Sequence, residues 1–215
     1  SLKALAENAR DQTTPERQQE ALEQIVQQSE TLSETVTILL NQAVVSHRLQ
    51  TQRLVPLDLV ELIKQSCMAQ AVSALRQGIH LSFESTETEV FILGEAFSLQ
   101  QMLNNLVDNA VRYSAIKAVT DDKAKMVEIH IRQDGRSVIL SVIDYGDGIA
   151  DDKKNRVFER FYRANYEISG TGVGLAMVKE ITDRHRAHIK IRDTQPSGAT
   201  ISVDFPLFIN NETEL

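Results

Sequence analysis

From Glu16 to Leu49 the chain contains neither glycine nor proline, and within that run Leu22, Ile25, Ser29, Leu32, Val36, Leu39 and Ala43 recur at alternating spacings of three and four. That period predicts one long helix carrying a narrow heptad stripe interrupted by a single serine. Its outer positions are Gln, Glu and Thr, so the stripe needs an apolar partner. The partner is either the helix's own domain or, as the polarity of the other faces favours, a second helix in a hairpin that dimerises into a bundle. Thr14, Pro15 and Glu16 suit a helix start, with a cap followed by proline in the first turn. Residues 1–10, SLKALAENAR, read as a shorter helix before the break DQTTP. The abrupt helical beginning suggests a fragment of something longer, with residues 1–50 as a partial hairpin.

The remaining residues, 51–210, have the texture of a separate domain. A helix is expected at about 58–77, ending at Gly78. Strands are expected at IHLSF (79–83) and VFIL (90–93), then a helix at about 96–112. MVEIHIRQ and SVILSVIDY flank Asp134-Gly135, a pairing that resembles a hairpin turn. A charged, glycine-free stretch covers 150–169, followed by GTGVGLA opening a helix, the strand HIKIRD, the turn QPSG and the strand ATISVDF. This order excludes a regular βαβ alternation. It predicts an α+β fold, an α/β sandwich on a mixed, largely antiparallel sheet. The net charge of −7 argues against a general nucleic-acid binder, which would show a basic patch. A single cysteine, Cys67, allows no internal disulfide. No apolar run approaches the ~20 residues of a membrane span, and no signal peptide opens the chain.

Three stretches carry chemistry. In Gly170-Thr171-Gly172-Val173-Gly174-Leu175-Ala176, glycines precede a helix start, where free N–H groups and the positive dipole end favour an anion. The same glycines could simply make a tight strand-to-helix turn. No G-K-[ST] follows, and no parallel βαβ unit surrounds the motif, so neither the Walker loop nor the dinucleotide fingerprint applies. In Asp144-Tyr145-Gly146-Asp147-Gly148-Ile149, an aspartate ends an apolar strand. It can accept a hydrogen bond from an exocyclic amine such as that of adenine, or cap its own turn. On the helix around 96–112, Leu99, Leu103, Leu106, Val107 and Ala110 form an apolar arc. Asn105, Asn109 and Arg112 share the opposite one, within about 60°. An asparagine oxygen suits Mg²⁺, arginine suits phosphate and Tyr113 can stack on a base. A solvated helix face is the alternative, but asparagine is a poor interior helix residue, and three in six positions, Asn104, Asn105 and Asn109, needs a reason.

In order and spacing these elements together resemble the catalytic and ATP-binding domain of bacterial sensor histidine kinases, the proteins of two-component signalling. That domain has the Bergerat fold, shared with gyrase, the Hsp90 chaperones and the MutL mismatch-repair proteins. Asn105 to Tyr113 looks like the family's N box and Asp144 to Ile149 like its G1 box. Val157 to Arg163 looks like the F box, Gly170 to Leu175 like the G2 box, and Gly198-Ala199-Thr200 like the last box. The resemblance covers about residues 54–206. It implies ATP and Mg²⁺ as ligands, with the metal on Asn109 and Asn105 beside it. Asp144 would read the adenine amine, Arg112 would approach the phosphates and Tyr113 the ring, with Asn105 and Arg112 supporting catalysis. Gly146, Gly148, Ile149 and Thr200 would also bind the nucleotide. Gly170, Thr171, Gly172, Val173, Gly174 and Leu175 would form the phosphate-side loop. Residues 150–169 would be a mobile lid carrying Arg160 and Arg163.

The implied activity is protein histidine kinase: transfer of the ATP γ-phosphate to a histidine and onward to an aspartate of a response regulator receiver domain. The implied setting is a homodimer joined through the helical hairpin, on the cytoplasmic side of a bacterial inner membrane and anchored upstream of residue 1. Two departures stand out. His185-Arg186-Ala187 replaces the family's H-G-G, read as turn variation. The phosphoacceptor box H-E-x-R-T-P-L is absent, so a chain starting after it should fail to autophosphorylate. The histidines that are present, His47, His80, His130, His185 and His188, read as surface or structural residues. A hydrolytic ATPase of the same fold would carry a glutamate at position 105 as general base, where this chain has asparagine, which cannot take a proton. An anti-sigma-type regulatory binder would lack the heptad helix.

Overall fold

The computed structural model of the chain describes residues 15–118, 122–165 and 171–209. The helix expected over residues 1–10 lies outside them. The chain divides into two units, residues 1–44 and 45–215. In the first, the described residues form the start of α1 (Pro15–Thr51), the long helix its composition predicts. Its seam residues Leu22, Leu32, Val36 and Leu39 are exposed in the single chain.

The second unit begins with the end of α1 and continues with β1 (Val55–Asp58), α2 (Leu59–Arg76), β2 (His80–Ser85) and β3 (Phe91–Gly94). It goes on through α3 (Ala96–Lys117), β4 (Met126–Asp134), β5 (Ser137–Asp144), α4 (Gly174–Arg184), β6 (His188–Asp193) and β7 (Ala199–Pro206). The five-stranded sheet runs β2-β4-β5-β7-β6. Only β2 and β4 are parallel, so the sheet is mixed and largely antiparallel, as expected. β1, unforeseen in the sequence, pairs antiparallel with β3 in a separate two-stranded sheet.

Alternation builds the core. Val127, Ile129 and Ile131 of β4, Val138, Leu140 and Val142 of β5, and Ile201, Val203 and Phe205 of β7 all point to one face and are buried. Leu99, Met102, Leu103, Leu106 and Val107 of α3 meet them from above, and Ile63 of α2 and Val178 and Ile181 of α4 belong to the same cluster. Each such side chain contributes roughly 1.5–3 kcal/mol on leaving water.

Caps fix where the helices start and stop. Asp58 accepts from the amides of Val60 and Val90, both at 3.0 Å, capping α2 and tying it to β3. Glu95 caps α3 through the amides of Phe97 and Ser98 and the Ser98 hydroxyl, and pairs with Arg48 at 3.1 Å. Burial pushes the Glu95 carboxyl up, but those donors and the Arg48 guanidinium hold it below its usual range. The Glu95 amide in turn donates to Nε2 of His185, whose Nδ1 lies 2.7 Å from the Ile181 carbonyl oxygen. His185 is buried and its pKa is lowered by desolvation, so it is a neutral structural residue.

Helices α2 and α4 end in the same Schellman geometry. After α2 the left-handed position is Gly78, with its amide on the Leu75 carbonyl and the Ile79 amide on that of Ala74. After α4 the left-handed residue is Arg186, at φ 54°, with its amide on Asp183 and the Ala187 amide on Thr182. A side chain at that φ costs roughly 1 kcal/mol relative to glycine. We therefore expect Arg186→Gly to raise stability by about 1 kcal/mol in urea unfolding. An unchanged midpoint would show that the arginine side chain recovers what its backbone loses.

Candidate nucleotide site

At the ends of β5 and α3 the sheet opens onto a polar region. Asp144, the last residue of β5, is buried, and its Oδ1 accepts from the amides of Gly146 (3.0 Å) and Ala199 (3.1 Å). Both bonds fall on Oδ1, which leaves Oδ2 as the acceptor available to a ligand. Desolvation raises the Asp144 pKa above its usual 3.8, against the two amides and Lys117, which lower it. The close approach of the 194–199 turn needs Gly198: it sits at φ 125°, and a Cβ there would lie 2.1 Å from the Asp144 carbonyl oxygen. Gly148 packs against the Gly198 carbonyl, Gly146 against the backbone of Tyr113, and Ile149 is half-buried just beyond. The Thr200 hydroxyl is 2.9 Å from that of Thr194.

Helix α3 lies with its apolar arc in the core and leaves Asn105, Asn109, Arg112 and Tyr113 half-buried on its other side. Asn105 donates from Nδ2 to the Gln101 carbonyl at 2.8 Å. Its Oδ1 is aimed at the start of α4, 2.8 Å from where a Cβ on Gly174 would be. One turn further on, the Asn109 amide has no hydrogen-bond partner among the described residues. A half-buried neutral oxygen left unspent fits a hard cation that keeps waters and phosphate oxygens as its other ligands.

Helix α4 begins at Val173 without a side-chain cap, so the amides of its first turn remain orphans that can meet an anion. Thr171 and Leu175 flank this start, half-buried, and Val173 is buried. Gly172, at φ 70°, packs against the backbone of Phe161 and Tyr162 and accepts from the Phe161 amide at 2.8 Å. Gly170 lies outside the described residues, as does the part of the lid at 166–169. Of the two arginines expected on a lid, Arg160 pairs with Glu180 of α4 at 3.2 Å, and Arg163 is half-buried.

One residue escaped the sequence reading. Helix α3 runs one turn past its expected end, to Lys117, whose ammonium donates to the Gly146 carbonyl and the Ser197 hydroxyl. The signal was the spacing Asn109, Tyr113, Lys117, successive i, i+4 positions on one helix face.

Residues 94–209 match the family described as histidine kinase-, DNA gyrase B-, and HSP90-like ATPase. The sensor histidine kinase RppB of Synechocystis is 31% identical over 155 residues, covering 70% of this chain and 32% of RppB. The sensor protein CreC of Escherichia coli is 31% identical over 206 residues, covering 94% of this chain and 41% of CreC. The chain thus spans about a third to two-fifths of these relatives. Among solved structures, histidine kinase ThkA in complex with response regulator protein TrrA superposes with a TM-score of 0.70 at 18% identity, covering 96% of this chain and 57% of that one. At that identity the likeness is one of fold.

The geometry around Asp144 yields a test. Asparagine keeps an oxygen for the two amides but replaces the charged acceptor and removes a desolvated charge. We expect Asp144→Asn to fold, with thermal stability at pH 7 equal to or above the parent. Its affinity for adenosine should fall about 10- to 100-fold, the loss of one hydrogen bond to a charged group. Calorimetry showing parental adenosine affinity in the folded variant would remove Asp144 from base recognition.

Proposed function

Because the chain belongs to the histidine kinase-, DNA gyrase B-, and HSP90-like ATPase family, as the catalytic ATP-binding domain of a bacterial sensor histidine kinase, we propose that it holds Mg-ATP between α3, the Asp144 cradle and the start of α4, and presents the γ-phosphate to a histidine. The observation that carries the reading is the buried Asp144. Its Oδ1 is satisfied twice by backbone amides, which leaves Oδ2 as the acceptor a ligand can use.

In this reading Asp144 Oδ2 accepts from the adenine amine and Tyr113 lines the ring. The first-turn amides of α4 and Arg112 receive the phosphates. Asn109, with Asn105 beside it, would hold Mg²⁺, which neutralises phosphate charge as the bond to the leaving group loosens. Phosphoryl transfer needs chiefly positioning and charge neutralisation, and no residue here has to act as a base toward water. Asn105 supports transfer over hydrolysis, since an amide cannot accept the proton of an attacking water. Arg160 reaches a phosphate only by leaving Glu180. That exchange is inexpensive, because an exposed pair contributes about 0–1 kcal/mol.

For the intact protein we propose onward transfer to an aspartate of a response regulator. The ThkA–TrrA complex supports this by fold, and the named sensor kinases by sequence. We propose residues 1–50 as part of a dimerising hairpin. Support comes from the exposed heptad residues of α1, an apolar stripe that calls for a second helix. Membrane anchoring upstream of residue 1, on the cytoplasmic side, completes the proposal. Among the described residues no helix is long and apolar enough to cross a membrane.

Two measurements test this. Asn109→Asp places a carboxylate beside the phosphates, and we expect it to weaken Mg-ATP binding at least ~10-fold by calorimetry with the fold retained. Parental affinity would exclude Asn109 from the site. With γ-labelled ATP, these 215 residues alone should bind nucleotide without gaining acid-labile phosphate. A separately supplied hairpin bearing a phosphoacceptor histidine should become labelled. Label on the chain itself would instead place the acceptor among its own histidines, with His47 the first to replace.

A further inference from the structure

Lys117 has no role in the nucleotide reading above, yet it sits where the two walls of the Asp144 cradle meet. The cradle has two donors, the Gly146 amide from the turn after β5 and the Ala199 amide from the start of β7. These segments come from distant parts of the chain, and Asp144 itself is buried between them. The Lys117 side chain, only 21% exposed, crosses from the last turn of α3 and donates to both: to the carbonyl of Gly146 at 3.3 Å, and to the hydroxyl of Ser197, two residues before Ala199. Its third neighbour is Asp147, at 3.7 Å. Two of the ammonium's donors are thus spent on oxygens of the two cradle walls, and Asp147 lies beyond hydrogen-bond distance. The Asp147 carboxylate is 80% exposed and adds little through solvent. The two neutral oxygens fix where the ammonium lies.

We propose that Lys117 is the positioning residue that holds the two turns together around Asp144 and so sets the preference of this site for adenine over guanine. The inference rests on the nucleotide reading of the site. An ionised carboxylate accepts from the amine at position 6 of adenine, whereas guanine presents a carbonyl oxygen there and the two acceptors repel. That discrimination requires Oδ2 to be aimed by the bonds on Oδ1. Without Lys117, the 194–199 turn loses its side-chain tie through Ser197 and keeps the Ala199 amide bond and the backbone contacts of Gly198 with Gly148 and Asp144. Asp144 also loses the positive charge that faces it. Reading by hydrogen bonds rejects the wrong base only while the site's polar groups are held in place.

The test uses the full 215-residue chain, titrated with adenosine, ADP and GDP and followed by magnetic resonance shifts. For Lys117→Met we expect adenosine and ADP to weaken by the same factor, about 10-fold, the cost of losing one charged hydrogen-bond donor. The ADP-to-GDP preference should fall with them. Lys117→Arg should recover most of both. Ser197→Ala, which removes only the hydroxyl that Lys117 bonds, should cause a smaller loss in the same direction, and it keeps the test decisive if the methionine variant fails to fold. Parental adenosine affinity in Lys117→Met overturns the proposal. So does a loss confined to ADP, which would make Lys117 a phosphate ligand, or a loss that arginine does not restore. If the parent chain binds no adenine nucleotide, the nucleotide reading itself fails. If the parent binds and the variants bind equally well, only the role of Lys117 does.

Discussion

The arrangement of this domain depends on one contact, the burial of one side of α3 against the β4-β5-β7 face. Leu99, Met102, Leu103, Leu106 and Val107 are each 0–1% exposed there, against strands whose alternate residues are equally buried. Removing those side chains from water supplies the largest favourable energy the domain has. It also fixes the rotation of the helix about its axis. Once that rotation is fixed, Asn105, Asn109, Arg112, Tyr113 and, one turn later, Lys117 have nowhere to point but the mouth of the sheet. The orientation of these polar residues is thus set by packing on the other side of the same helix.

The second constraint is backbone proximity. A carboxylate can be buried at Asp144 only because two amides reach the same oxygen, and they reach it only because the turn at Gly198 comes within contact of the Asp144 backbone. Burial is still not fully compensated, since the pKa stays above its usual value. Protonation would relieve that cost, so the apo fold should gain stability from Asp144 as pH falls through its raised pKa toward 3.8.

Much of this was legible in the sequence because it rests on period and punctuation. The alternation of β4 and β5 around Asp134-Gly135, the 3.6-residue arc of α3 and the breaker-free α1 are local patterns, and the structure has them in place. The five boxes were legible as a set through resemblance. What was not legible is non-local. β1 is four residues long, contains Pro56 and exists only because β3 pairs with it. The last turn of α3 extends past the expected end at 112, closed by the Ala118 amide on the Ser114 carbonyl and by Lys117 reaching across to Gly146 and Ser197. His185-Arg186-Ala187, read as a turn variant, is a Schellman cap in which arginine takes the left-handed position, a strain no propensity scale would choose. Arg160 reads from sequence as a lid cation, but which carboxylate it pairs with in the absence of phosphate depends on where α4 places Glu180.

Glu180 also shows how the start of α4 can sense its surroundings. Its Oε2 accepts from Arg160 of the lid, while its Oε1 accepts from the Ser46 hydroxyl at 2.6 Å, near the end of α1. One carboxylate two turns into α4 therefore touches the segment expected to close over phosphate and the helix that enters the domain. The Arg160 side of this link is weak, because it is exposed. The Phe161 amide bond to Gly172 holds the same stretch of lid to the α4 entrance through the backbone. An anion at the orphan amides of α4 would compete with Glu180 for Arg160 while leaving that backbone tie intact. In the proposed site the side-chain pair is the part of this contact free to change with an occupant, and the Phe161–Gly172 backbone bond is the part that stays.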